Sequence, residues 1–322
     1  MLKAKTYGPL NTLGDFLAFL AFWLLMWAFR LLPRRLALGI GASLGGLARF
    51  SRREAGRVHE NLGKAFPDWT PQQVETTGRR VFAHLGMVGA EVLRLSGWRG
   101  KKELERFTVE GLEHLQAAEA QGKGVLLMSA HIGFWESIAL ILPSLGFTHL
   151  AGVAKTIRNA FITRYMARQR LKHGGMLIDA HRGASKIVRA LADKRVLVIL
   201  MDQRTNVNEG VMVPFFGREA STTPVVAKIA ARQGVPVVPC FVYRNPDLTY
   251  RMVFEPALEL DSSKSEAALV HNTALMTARI EAAIRQDPGQ WCWNYRRWTM
   301  KARPPEEIAA QREHFGSANP FD

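Results

Sequence analysis

The chain has 322 residues, 48% of them hydrophobic and 22% charged, proportions that exclude wholesale disorder and suit one large α/β domain or two smaller ones. Lys and Arg number 43 against 28 Asp and Glu, and the net charge of +15 attracts polyanions; no nucleic-acid reader motif gathers these residues, so anionic lipid or a phosphorylated substrate is the expected partner. The two cysteines, Cys240 and Cys292, show neither CxxC nor Cys/His spacing, which excludes a disulfide scaffold or zinc finger and reads as free thiols in a reducing compartment.

The first element is FLAFLAFWLLMWAF, Phe16 to Phe29, 14 residues without a charge. A perpendicular span needs roughly 20 residues, so the run crosses a membrane only with its flanks from Leu10 included, or lies partly inserted in one leaflet. Lys3 and Lys5 precede it, and Arg30, Arg34, Arg35, Arg49, Arg52, Arg53 and Arg57 follow. That heavier carboxy-terminal flank places the main domain on the cytoplasmic side. A cleaved signal peptide lacks its small-x-small site here, and an ordinary buried core helix is the other alternative.

Leu36 to Phe50 and Glu54 to Phe66 have helical spacing, and Thr70-Pro71 is a cap and first-turn signal for a long helix to about Leu95. From Gly124 the texture changes to short apolar runs: Val125 to Ala130, Leu150 to Ala154, Met176 to Ile178, Val196 to Met201 and Val235 to Tyr243, with helical stretches between. Strands alternating with helices predict an α/β fold, a mixed, mostly parallel sheet flanked by helices and preceded by the membrane-anchoring helix. The expected division is an anchor over 1–35, one catalytic domain over 36–302, and a surface tail over 303–322 that opens on Pro304-Pro305.

Chemistry is concentrated in SAHIGFWES, Ser129 to Ser137. His131 follows a predicted strand, and the carboxyl ends of parallel strands line the crevice where open α/β sheets bind ligands. Gly133 permits the sharp turn, and Glu136 falls on the first turn of the next helix, where the helix dipole keeps a carboxylate ionised. Glu136 is thereby placed to orient His131 as a general base. Ser129 and Ser137 sit in no GxSxG elbow, so the attacking hydroxyl must come from a substrate. A His ending a strand and a Glu capping a helix, with no chemistry, is the plain structural alternative.

HIGFWE resembles the H-x4-D/E signature of the glycerolipid acyltransferase superfamily. KTIRNAFITRYMARQR (Lys155 to Arg170), MDQR (Met201 to Arg204), VPFFGREASTTP (Val213 to Pro224) and QWCWNYRRW (Gln290 to Trp298) extend the likeness. Together they resemble the late acyltransferases of lipid A biosynthesis, the lauroyl and myristoyl transferases, from the anchor to about Arg303. The resemblance implies acyl transfer from an acyl carrier protein thioester to a hydroxyl of a phosphorylated, Kdo-bearing lipid A precursor at the cytoplasmic face of the inner membrane. It implies His131 as general base, Glu136 as its partner, and acceptor binding by Arg170 and by Asp202, the acidic residue after the next strand. Many relatives carry Asn where Phe134 stands, which puts the acceptor or oxyanion contacts at that position in question.

Phosphates and carboxylates on such an acceptor call for arginine's bidentate donors, and Lys155, Arg158, Arg164, Arg168 and Arg170 suit the task, although they do not share one helical face. Asp202 reads either as an acceptor contact on the same crevice edge or as a loop carboxylate paired with Arg204. VPFFG lines an acyl groove or belongs to the core, and one of Ser221, Thr222 and Thr223 caps a helix. Trp291, Trp293, Tyr295 and Trp298, interleaved with Arg296 and Arg297, form either a membrane-interface belt or a buried cluster. No His spacing suggests a metal site, and the chemistry requires no cofactor. Acylation of another glycolipid, such as a phosphatidylinositol mannoside, is the nearest alternative; thioester hydrolysis and a non-enzymatic protein that binds anionic lipid are the others.

Overall fold

The computed structural model describes residues 9–98, 100–154, 159–171, 175–179, 183–300 and 302. The apolar run becomes α1 (Pro9–Leu31), within which Leu13–Leu31 is long and apolar enough to cross a membrane. Most of its surface is bare: Leu17, Leu24 and Leu25 point outward, while Met26 and Phe29 turn inward.

The next three helices follow the predicted spacing as α2 (Arg34–Ala48), α3 (Arg52–Ala65) and α4 (Pro71–Arg94). At the head of α4, Thr70 and Gln73 cap each other's backbone, with Pro71 at the first helical position. The α2 and α4 backbones touch at glycines: a Cβ on Gly45 would lie 2.2 Å from the Phe82 carbonyl and one on Gly86 2.0 Å from that of Gly41. No larger side chain permits so close a crossing.

Where the helices meet the sheet, Glu91 of α4 is buried and accepts from Arg244 at 2.9 and 2.6 Å and from Arg34 at 3.0 Å. Arg34 also donates to the Tyr250 hydroxyl at 2.7 Å, so one carboxylate ties α2, α4 and the far side of the sheet together.

Short α5 (Lys101–Leu104) leads to β1 (Phe107–Glu110), α6 (Leu112–Glu119) and β2 (Val125–Ser129). The turn that carries His131 and α7 (Ile138–Ile141) then give way to β3 (Leu150–Ala154), α8 (Ala160–Leu171), β4 (Met176–Asp179), α9 (Ala184–Ala192) and β5 (Val196–Leu200). After a hairpin of β6 (Val211–Phe215) and β7 (Arg218–Thr222) come α10 (Val225–Gln233), β8 (Val237–Arg244), β9 (Tyr250–Phe254) and α11 (Glu266–Gln286).

The seven-stranded sheet has the order β1-β9-β8-β2-β5-β3-β4. Every pairing is parallel except β8 with β9. Both faces are covered, which explains the uninterrupted apolar runs: Leu126, Met128, Leu197 and Ile199 enter one core, and Val125, Leu127, Val196 and Val198 the other.

The body also engages α1. Phe16 and Phe19 pack on Phe161 of α8, Phe22 meets Tyr165 edge-on, and the Asn159 amide donates to the Asp15 carbonyl at 2.8 Å. Of the two readings of VPFFG, the core one holds: Val213, Phe215 and Phe216 are buried, and hairpin and α11 pack together.

Candidate active site

β2 and β5 run parallel with Ser129 opposite Leu200, so the residues two positions beyond each strand emerge side by side at one sheet edge. Those residues are His131 and Asp202. The His131 Nδ1–H donates to Asp202 Oδ1 at 2.8 Å, and the His131 backbone N–H donates to Oδ2 at 3.1 Å. The Trp291 indole N–H gives Oδ2 a further bond at 2.7 Å. Asp202 is buried, with its side chain 2% exposed against 24% for His131, so the carboxylate lies beneath an imidazole that reaches solvent. Burial alone would push the Asp202 carboxyl up, yet the His131 charge and the bonds from His131 and Trp291 prevail and hold it below the usual carboxylate range.

The turn carrying His131 is braced on three sides. Gly133 sits at φ +56°, and a Cβ there would lie 1.7 Å from the Val242 carbonyl, so any other residue displaces backbone. Its N–H donates to the Gln290 carbonyl at 3.0 Å, and Ile132 bridges to Trp291. Its carbonyl accepts from His84 Nε2 of α4 at 3.1 Å, which requires the proton of neutral His84 on Nε2.

Burial and the Arg244 charge push the His84 imidazole from 6.5 down to about 3. Between those values the unfolded chain takes a proton that the folded protein refuses, so stability falls as pH drops, by about 1.4 kcal/mol per pH unit. His84→Gln keeps a donor for Gly133 and removes this titration. Its melting temperature is expected to decline less steeply from pH 6.5 toward pH 4 than that of the wild type, and parallel curves would assign the acid sensitivity elsewhere.

The turn continues through Phe134, which is fully buried against Trp98 and Tyr250. Phe134 is therefore a packing residue. Trp135 meets the His131 ring edge-on at 5.1 Å. Glu136 lies, half-exposed, on the single 3-10 turn Trp135–Ser137 that precedes α7. Ser129 and Ser137 are buried, and the Ser137 hydroxyl donates to the Phe134 carbonyl at 2.6 Å, so neither presents a nucleophile to solvent.

Asp202 lies on the crevice edge expected for it, with both carboxylate oxygens engaged. Its oxygens face His131 and Trp291 rather than Arg204, which places it behind the imidazole. Arg158 lies outside the described residues. Arg170 lies on α8 with its side chain outside them, while Arg164 and Arg168 are exposed one helical turn apart.

The membrane-belt reading of the carboxy-terminal aromatics gives way to the buried cluster. Trp291 and Trp293 are fully buried, and the indole N–H groups of Trp293 and Trp298 donate to the Pro288 and Phe215 carbonyls at 2.7 and 3.2 Å. Their polar edges are satisfied internally and need no headgroup water. Arg297 is buried too, donating to the Ser221 carbonyl at 2.9 Å and Thr222 Oγ1 at 2.6 Å, and burial pulls its pKa down to about 10. None of the three hydroxyls caps α10: its N-cap is Pro224, and Thr223 just before it accepts only the Val225 N–H at 3.4 Å. His84, Gln290 and Trp291 escaped the sequence reading as parts of the site, because each acts through a partner far away in the chain.

Among the described residues no group of three or more His, Cys, Asp or Glu is placed to hold a metal. The site is thus an imidazole at a sheet edge, backed by an ionised carboxylate, without a serine or cysteine nucleophile in the turn: an arrangement suited to activating a substrate hydroxyl.

The family model for bacterial lipid A biosynthesis acyltransferases matches residues 8–300. The lipid A biosynthesis acyltransferase of Haemophilus influenzae is 27% identical over 275 residues, 84% of either chain. The lipid A biosynthesis lauroyltransferase of Escherichia coli is 27% identical over 286 residues, 87% of this chain and 90% of that one. A phosphatidylinositol mannoside acyltransferase of Mycolicibacterium smegmatis is 24% identical over 288 residues, 88% and 91% of the two chains. A match over nearly the whole chain makes this protein an acyltransferase that belongs to the bacterial lipid A biosynthesis acyltransferase family.

Proposed function

We propose that the protein transfers a fatty-acyl chain from an acyl carrier protein thioester to a hydroxyl of a lipid A precursor, with His131 as general base. The observation that carries this reading is the Nδ1–Asp202 hydrogen bond at the open edge of the sheet. With Nδ1 committed to Asp202, base chemistry falls to Nε2. The acceptor O–H gives its proton to Nε2 as its oxygen attacks the thioester carbonyl carbon. The tetrahedral adduct then expels the thiolate, which takes the same proton back, so an ester C–O bond replaces the C–S bond and His131 returns to its neutral form.

Asp202 fixes the tautomer and stabilises the transient imidazolium. We therefore assign the orienting role to Asp202 and keep Glu136, half-exposed on the turn after His131, as the second carboxylate of the site. Arg158 and Arg170 remain the proposed acceptor contacts of the basic segment. The helix α1 sits in the inner membrane, and Arg30, Arg34 and Arg35 at its end keep the catalytic domain on the cytoplasmic side. The reading requires neither cofactor nor metal.

Purified protein with acyl carrier protein thioester and a lipid A precursor is expected to yield a product heavier by one acyl group in mass spectrometry. Transfer to phosphatidylinositol mannoside alone, or release of free fatty acid at the same rate with and without acceptor, would overturn the proposal.

A further inference from the structure

We propose a second site, for a lipid-borne phosphate, in the cleft between α3 and the segment Trp291–Thr299. The cleft has a volume of about 400 Å³, and Arg53, Arg57, Lys64, Arg296 and the single carboxylate Glu60 supply its charge. Arg53, Arg57, Glu60 and Lys64 recur at helical spacing and so form one stripe along α3. Arg57 is shared with Glu54 and Lys64 with Glu60, whereas Arg53 and Arg296 have no carboxylate partner among the described residues. The excess of positive charge is therefore uncompensated by the protein itself.

Hydrogen bonds tie the two walls together. The Asn61 side-chain amide donates to the Trp293 and Tyr295 carbonyls at 2.6 and 2.8 Å, and Arg57 donates to the Asn294 carbonyl at 3.1 Å. Arginine donors gathered in a concave site suit phosphate oxygens better than a flat charged face does.

Two observations indicate that the phosphate arrives on a lipid. First, the helix leading into the cleft ends in exposed apolar residues, Leu44, Leu47 and Phe50, and the far wall ends in exposed Met300. Exposed apolar side chains therefore flank the cationic groups on both walls, as a lipid-borne phosphate would require. Second, the far wall is the segment whose Trp291 holds Asp202, which puts the cleft and the reacting edge on one continuous structure. The acceptor's own phosphate and a bilayer phospholipid present the same chemistry; only the first source rests on the function proposed above.

The test is the double variant Arg53→Gln/Arg296→Gln in the full-length protein, compared with Lys101→Gln/Lys102→Gln, which removes the same charge from exposed positions on α5. In co-flotation, the cleft variant is expected to bind phosphatidylcholine vesicles doped with phosphatidic acid about tenfold or more weakly than wild type, and undoped vesicles equally. In neutral detergent micelles, its KM for the phosphorylated acceptor is expected to rise about tenfold with kcat retained. Loss in both arms, or in micelles alone, assigns the site to the acceptor phosphate, and loss on vesicles alone to phospholipid. No loss in either arm, an equal loss in the α5 variant, or a rise confined to the KM of the carrier-protein donor would overturn the proposal. The vesicle arm needs no acyl transfer, so it remains readable even if the wild type proves inactive on lipid A precursors.

Discussion

His131→Ala is expected to lower acyl transfer by about 10²- to 10⁴-fold, the usual contribution of a general base. Removing the imidazole leaves the acceptor hydroxyl to attack at its own pKa, and its half-exposed position means little packing is lost. The melting temperature is therefore expected to stay within a few degrees of wild type. Asp202→Asn tests the partner: an amide can still take a hydrogen bond from Nδ1, but it loses the charge that stabilises imidazolium. A loss of kcat comparable to that of His131→Ala, with KM for both substrates preserved, is the expected result. If instead Glu136→Gln carried the kcat loss and Asp202→Asn were nearly silent, orientation would belong to Glu136. Steady-state kinetics on the three variants decides between the carboxylates. Near-wild-type activity in His131→Ala would retire general-base catalysis and favour an anionic-lipid-binding role.

Glu91→Ala should be the most damaging change away from the site. The carboxylate is buried and compensates Arg244, whose side chain is 4% exposed, as well as Arg34. Removing it leaves a buried guanidinium without its counter-charge, at a cost of about 3–5 kcal/mol. That is a large share of the roughly 5–15 kcal/mol by which a domain is stable. Denaturant midpoints in detergent should fall accordingly, whereas KM per folded molecule should hold, because Glu91 faces the junction of α2, α4 and β9 rather than the crevice. A midpoint within experimental error of wild type would mean that Arg244 finds another partner. The double variant Glu91→Leu/Arg244→Leu is expected to recover much of the loss, since removing both charges removes the penalty.

Much of the architecture was legible in one dimension because its causes are local. Val125 to Ala130 and Val196 to Met201 are apolar throughout since both sheet faces are covered, and Thr70, Pro71 and Gln73 start α4 through bonds that span three residues. The charge-free stretch inside α1 and the position of His131 after a strand are likewise matters of neighbours in sequence. The edge strand β1, its neighbour β9 and the β6–β7 hairpin were missed: they are four or five residues long, and β1 finds its partner β9 only far along the chain.

The composition and order of residues determined the class of the fold, the apolar leading helix and the imidazole at a strand end. Only the tertiary structure decided which carboxylate serves that imidazole. Glu136 is five residues from His131, whereas Asp202 is 71 residues away and reaches it because β2 and β5 are parallel neighbours in register. The same holds for Trp291, 89 residues beyond its Asp202 partner, and for Phe134, which packs on Trp98 and Tyr250. Hydrogen-bond geometry and desolvation depend on distance in space, and spacing along the chain reports that distance only within a turn or two of helix.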